Sequence, residues 1–226
     1  MVDSKAKLIE NIFPNLKHNH KDHEWLQERA ILAATNLDVD EMNLKIQQIL
    51  PGYEFTFKSV DTVIDPDEIV NYPVEFLNSL DLPGMPPHNL LLKVGSPIIL
   101  LRNLNAPKLC NGTRLAITNI MGNIIEAIIL GGKFKDDVLL PRIPLIPSES
   151  VIPFKRLQFP IRLAYAMTIN KSQGQTMNFC GINLENPCFN HGQLYVACSR
   201  VRNPNNLYIY TPNNLTKNIV YPLALQ

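Results

Sequence analysis

RAILAATNLDVDEMNLKIQQILPG, residues 29–52, decides the fold. Ile31, Leu32, Ala33 and Ala34 form a short apolar run, the pattern of a strand buried on both faces of a parallel sheet. Val39, Met42, Ile46, Ile49 and Leu50 then recur at helical spacing, with Asn36 or Asp38 placed to cap the helix and Pro51-Gly52 placed to stop it. A strand followed by a helix at this distance is half of a βαβ unit.

The same style returns late in the chain. IRLAY (161–165) reads as a strand and AMTINKSQG (166–174) as a turn into a helix. NFCGINL (178–184) reads as a buried strand and NLYIYT (206–211) as a final one. HGQLYVACSRV (191–201) reads as an amphipathic helix that packs Leu194, Tyr195, Ala197 and Cys198.

Between these parts the pattern changes. YEFTFKSV (53–60) alternates as a strand, residues 73–80 allow one or two helical turns, and LDLPGMPPHN is a proline-rich connector. From residue 88 onward short β-rich runs are punctuated by Gly95, Asn111-Gly112, Gly122-Asn123 and Gly131-Gly132, which is turn chemistry between antiparallel strands. Gly131-Gly132-Lys133 fits a hairpin turn better than a phosphate loop. The expectation is an α/β domain over 27–87 and 158–226, interrupted by a small β module over 88–157. Residues 1–26 read as a helix followed by a polar link.

The hydrophobic fraction, 46%, supports a real core and excludes global disorder. No apolar run reaches membrane-spanning length and MVDSKAKLIENIF carries no signal-peptide core, so the expectation is a soluble, intracellular chain without a membrane partner. The four cysteines, at 110, 180, 188 and 198, form no C-x-x-C pair, and His18, His20 and His23 fit no familiar ligand spacing, so no metal site is expected. Net charge is +1, yet residues 150–226 hold seven Lys/Arg and a single acid, Glu185. That balance suits a polyanion; compositional drift explains it equally well.

Two stretches could carry chemistry. MTINKSQGQT (167–176) has the vocabulary of a phosphate-binding loop in an order that makes no P-loop, which needs G-x-x-x-x-G-K-[ST]. Its donors Thr168, Asn170, Lys171 and Gln173 sit beside Gly174, where backbone can approach a ligand closely. A solvated helix end is the alternative. Arg200 closes the 191–201 helix, either answering the helix dipole or offering its forked guanidinium to a phosphate.

Read in order, RAILAATN, LLLKVGSPIILLRNLN, LCNGTRL, RLAYAMTINKSQGQT and HGQLYVACSRV resemble PIF-type DNA helicases of superfamily one, and most closely the helicase regions of Helitron transposons. The resemblance covers about residues 25–211. It implies a RecA-like parallel-sheet domain, the second of two, interrupted by a small antiparallel Src-homology-like β-barrel. It implies Arg200 as an arginine finger for ATP hydrolysis, and Thr168, Asn170 and Lys171 facing single-stranded DNA. Gln173, Gly174 and, more weakly, Arg29 would lie toward the nucleotide; an exposed charge ahead of a strand is the other reading of Arg29. ATP and Mg²⁺ would serve the complete enzyme. No P-loop occurs in these residues, so a first RecA-like domain, on the same longer chain or a partner, would have to supply the phosphate cradle, and the chain alone would be inactive. Repair, recombination and telomere maintenance are the processes implied, in the nucleus of a eukaryote. Asn170 departs from the histidine many relatives carry, which removes a charge but keeps hydrogen-bonding capacity. A non-enzymatic single-strand-binding module is the alternative function.

Overall fold

The computed structural model describes all residues except 133–135, 148–149, 151 and 223–226. Lys133, in the expected Gly-Gly-Lys turn, lies outside the described residues. In chain order the helices are α1 (Lys5–Ile12), α2 (Leu16–Asn19), α3 (His23–Gln27), α4 (Asn36–Ile49), α5 (Val74–Ser79) and α6 (Gln193–Cys198). The strands are β1 (Arg29–Ala33), β2 (Phe55–Lys58), β3 (Val60–Val63), β4 (Asn89–Leu92), β5 (Pro97–Leu100), β6 (Arg114–Met121) and β7 (Ile124–Ile129). They continue as β8 (Asp137–Pro141), β9 (Ile143–Leu145), β10 (Phe154–Gln158), β11 (Ile161–Leu163), β12 (Ala166–Thr168), β13 (Phe179–Asn183) and β14 (Leu207–Tyr210). No helix among the described residues is long and apolar enough to cross a membrane.

The chain divides into two compact units. The first joins Met1–Pro51 with the chain from Leu163 onward. Its sheet is parallel, in the order β12-β1-β13-β14, and β1 is buried along its whole length, as the apolar run requires. Thr35, rather than Asn36 or Asp38, caps α4: its backbone is extended and its Oγ1 accepts from the Asp38 amide at 3.2 Å. Asp38 is buried instead, accepting from Thr35 Oγ1 at 2.7 Å and from Asn186.

The expected first helix is α1, and the stretch expected as a polar link carries α2 and α3. α1 lies on the sheet where Gly181 of β13 leaves room for it: a Cβ there would stand 2.9 Å from Ile12 and 3.2 Å from Leu8. Leu8 and Ile12 are fully buried, and Lys5 of α1 pairs with Glu41 of α4 and with Glu185. α1 therefore covers one face of the sheet and belongs to its core.

The second unit, Gly52–Arg162, is built on antiparallel pairing. β5–β8 form a meander, with β11 joining the sheet beside β5; β3-β10-β9 and β2-β4 make two smaller sheets. Residues 52–87, expected with the α/β domain, lie in this unit because β2 pairs with β4 and β3 with β10. A buried ion pair ties it together: the Arg156 guanidinium reaches the Asp61 carboxylate at 2.6 Å, and its remaining N–H groups reach the carbonyls of Leu77, Leu80 and Pro86. Two of the seven basic residues counted after residue 150 are thus spent here, Arg156 on Asp61 and Arg162 on Asp81 at 2.6 Å. The late basic excess is smaller as a polyanion surface than the sequence count implies.

Candidate functional site

β12 lies at the sheet edge and β13 lies on the far side of β1, so residues 169–178 must carry the chain from the end of one parallel strand to the start of another. Parallel strands are usually joined by a helix. Here a single 3₁₀ turn, Ile169–Ser172, does it. The turn is fixed from beneath. Ile169 and Met177 are buried among Ala30, Leu32, Ala34, Cys180, Ile182 and Ala197, and Ser172 Oγ donates to the Ile169 carbonyl at 2.7 Å. The expected helix after 169 is absent because the short crossover leaves no room for one.

With Ile169 and Ser172 facing inward, the intervening positions face out. Asn170, Lys171, Gln173 and Gly174 are exposed and Thr168 is half-buried. Gly174 has φ +81°, a left-handed conformation in which a side chain would be strained, and a Cβ placed there would meet no non-neighbouring atom within 4 Å. Behind β12, the buried Asn43 side chain holds the strand start: its Nδ2 donates to the Leu163 and Ala166 carbonyls at 3.2 and 3.0 Å, and its Oδ1 accepts from the Ala166 amide at 2.8 Å.

α6 brings Arg200 to the same loop. The helix is shorter than the 191–201 pattern. It starts after Gly192, whose φ is +69°, and Gln193 Oε1 accepts from the Phe189 and Asn190 amides at its start. Ala197 is buried while Leu194 and Cys198 pack partly against the core, but Tyr195, expected to pack with them, is 74% exposed. Arg200 follows the helix, half-buried. Its Nε donates to the Val196 carbonyl at 2.9 Å, Nη2 to Ser199 Oγ at 2.8 Å and Nη1 to the Gln175 carbonyl at 3.3 Å. The Met177 amide in turn donates to the Arg200 carbonyl at 2.9 Å.

Gln175 is the joint that sequence reasoning passed over. Its carbonyl receives Arg200, while its Nε2 donates to the Lys171 carbonyl at 3.2 Å. The two stretches singled out in the sequence are therefore neighbours, joined through Gln175 and, next to it, through the Met177 amide. Both readings of Arg200 have a physical footing: it satisfies a helix C-terminal carbonyl, and three of its five N–H donors are engaged by its own chain.

Arg29 is elsewhere. It is buried at 4% exposure, with Nε 2.6 Å from the Trp25 carbonyl and Nη1 3.2 Å from the Ile12 carbonyl. Its guanidinium lies 3.9 Å from the Trp25 ring centroid and 4.8 Å from that of Phe179. Burial lowers its pKa to about 10, against the opposing field of Glu28 and Asp22. It is not the exposed charge of the other reading; its guanidinium stitches α1 and α3 to the sheet. The thiols near the site are quiet as well: desolvation raises Cys180 to about 12 and also raises Cys188 and Cys198.

What this site can offer is a cationic, donor-rich surface for an anion with extended negative charge. The residues fit phosphate oxygens, through Lys171, Arg200 and the open backbone at Gly174. They do not fit Mg²⁺: among the described residues the one gathered carboxylate set, Asp38, Glu41 and Glu185, has Lys5 bound to two of its members.

A parallel-sheet unit that carries such a loop, in one chain with a unit of antiparallel sheets, defines an α/β protein with a β-rich second unit. Residues 75–120 match the family model described as DNA helicase Pif1, 2B domain. The ATP-dependent DNA helicase Pif1 of Campylobacter jejuni is 30% identical over 224 residues, which cover 92% of this chain and 48% of that protein. The PIF1 helicase of Xenopus laevis is 29% identical, covering 82% of this chain and 28% of its own length. The chain thus spans half or less of these curated relatives. Among solved structures, the Pif1 helicase of Candida albicans superposes over 98% of this chain with a TM-score of 0.68 at 20% identity, and covers 56% of its own chain. A Bacteroides Pif1 bound to single-stranded DNA superposes over 87% of this chain, and 43% of its own, with a TM-score of 0.61 at 22% identity. These likenesses speak to the fold. Over most of its length the chain is similar to one part of the Pif1 helicases.

Proposed function

We propose that this chain supplies the DNA-facing and arginine-bearing part of an ATP-driven DNA helicase. The first unit acts as the second RecA-like domain of the motor, and the antiparallel unit holds the small Src-homology-like barrel. Thr168, Asn170 and Lys171 contact the single-strand backbone, and Gln173-Gly174 lie toward the nucleotide. Arg200 stabilises γ-phosphate charge as the arginine finger. Such a residue can sit on a different domain from the phosphate cradle, and contributes by electrostatics alone. ATP, bound largely by a P-loop domain, supplies the phosphoryl group whose hydrolysis drives unwinding; this chain's part is to orient and to neutralise charge. Without the P-loop half, turnover by this chain is negligible.

The observation that carries the reading is the Gln175 joint. Arg200 donates to the Gln175 carbonyl and Gln175 Nε2 donates to the Lys171 carbonyl, contacts that support a coupling between nucleotide and DNA strand. Hydrogen exchange of the purified chain with and without a thymidine 20-mer tests it. Residues 168–176 should become protected on binding. Protection confined to other segments, with 168–176 unchanged, would refute the assignment. The second reading, a single-strand-binding module without catalysis, draws on the engagement of Arg200 by its own chain. Adding a P-loop-containing Pif1 fragment separates the two, since only the helicase reading expects DNA-stimulated ATP hydrolysis that Arg200→Ala abolishes.

A further inference from the structure

Between Lys58 and Lys93 the chain has no lysine or arginine, while it carries six acids: Asp61, Asp65, Asp67, Glu68, Glu75 and Asp81. Two are spent internally, Asp61 on Arg156 and Asp81 on Arg162. The other four alternate along residues 65–75 with apolar side chains. Ile69, Val70, Val74 and Phe76 are all exposed, Val70 by 88%. Beside them runs a groove of about 360 Å³, walled by Ile69, Tyr72, Val74 and Leu77, with β3 along its floor.

This surface is built rather than incidental. Leu77 anchors α5 in the core, and the Arg156 guanidinium holds the Leu77 and Leu80 carbonyls at 2.9 and 3.1 Å. The ring of Tyr72, which lines the groove, stacks on that of Phe76 at 6.3 Å. Asp65 caps the short turn ahead of Ile69, accepting from the Asp67 amide at 3.1 Å, and Glu68 accepts from Asn71 at 2.9 Å. Contiguous exposed aliphatic groups rimmed by charge mark a protein-binding surface. A rim of one sign selects the partner's sign, and here it repels nucleic acid.

We propose that this groove docks a basic amphipathic helix of a partner protein. The helix places apolar side chains spaced i, i+4, i+7 against Ile69, Tyr72 and Val74, and sets Lys/Arg at the groove edge against Asp65, Asp67, Glu68 and Glu75. This surface is independent of the DNA site: it would stand if the DNA reading failed, and the reverse.

The test uses the whole chain and a fluorescein-labelled 18-residue peptide of leucine and lysine in that helical pattern. Controls are a scrambled peptide of the same composition and the same pattern with glutamate for lysine. The patterned basic peptide should bind in anisotropy and both controls should bind at least about tenfold more weakly. Val74→Asp, on the apolar wall, and Asp67→Lys with Glu68→Lys, on the rim, should each weaken binding about tenfold, with unchanged thermal melting and unchanged oligonucleotide binding. Equal binding of the scrambled peptide would reduce the surface to charge alone and overturn the proposal. Hydrogen-exchange protection outside residues 61–77 would overturn it too. So would sedimentation showing dimers of this chain that Val74→Asp dissolves, since the occupant would then be a second copy.

Discussion

Replacing Arg156 by methionine should unfold the antiparallel unit far more readily than its single position implies. The guanidinium is fully buried and the Asp61 side chain is buried against it. Arg156 donates to Asp61 through Nε at 3.0 Å and Nη2 at 2.6 Å, and to three backbone carbonyls at 2.9 to 3.1 Å. Methionine keeps much of the volume and none of the donors. The Asp61 carboxylate then keeps only Ser59 Oγ, at 2.7 Å, as a partner among the bonds described. Breaking one side of a buried pair costs about 3–5 kcal/mol, a large share of the ~5–15 kcal/mol that holds a domain together. Urea unfolding followed by circular dichroism measures the change. The double variant, with Asp61→Leu added, should recover a large part of the loss because the stranded charge is gone. A single Arg156→Met variant within about 1 kcal/mol of the parent chain would refute the reasoning.

Three further outcomes follow from the packing and the titrating groups. Gly181→Val should lower stability by about 1–3 kcal/mol, because its first carbon already meets Ile12 at 2.9 Å; a native-like melting temperature would mean α1 does not rest there. Burial lowers the His88 pKa below its ordinary 6.5, so the unfolded chain takes up more protons as pH falls through and below 6.5. Stability present above that pH is therefore lost on acidification, and His88→Gln should flatten the thermal-melting profile between pH 7.5 and 5.5; an unchanged profile contradicts it. Cys180, buried and raised to about 12, should resist iodoacetamide in the folded chain and react after denaturation, as read by mass spectrometry. Rapid native labelling would show that the core opens there.

Much of the parallel sheet was legible because its strands are continuous apolar runs and α4 has an amphipathic stripe, both local signals. What was not legible depends on partners far away in sequence. β3 finds β10 across 95 positions at Asp61 and Arg156 and was not read as a strand, and alternation in residues 53–60 could mark a strand without saying which unit it joins. That α1 packs on this sheet was not legible because the notch that receives it, Gly181, lies far along the chain. A charged residue before an apolar run normally faces water, but Trp25 and Phe179 sandwich Arg29 and make it interior. At the site, side-chain chemistry pointed to the 168–174 loop and to Arg200, and the fold brings them together. Gln175 escaped notice because its decisive group is a backbone carbonyl, which every residue has.

The most direct measurement is the salt dependence of oligonucleotide binding, by anisotropy with a labelled thymidine 20-mer, for the parent chain and for Lys171→Ala. Each phosphate neutralised contributes about −0.7 to the slope of log K against log salt for a single strand. Binding should weaken steeply with salt, with a slope shallower by about 0.7 in Lys171→Ala. Binding with the same slope in both proteins, or no salt-sensitive binding by the parent chain at micromolar concentration, would contradict the assignment of MTINKSQGQT to the DNA strand.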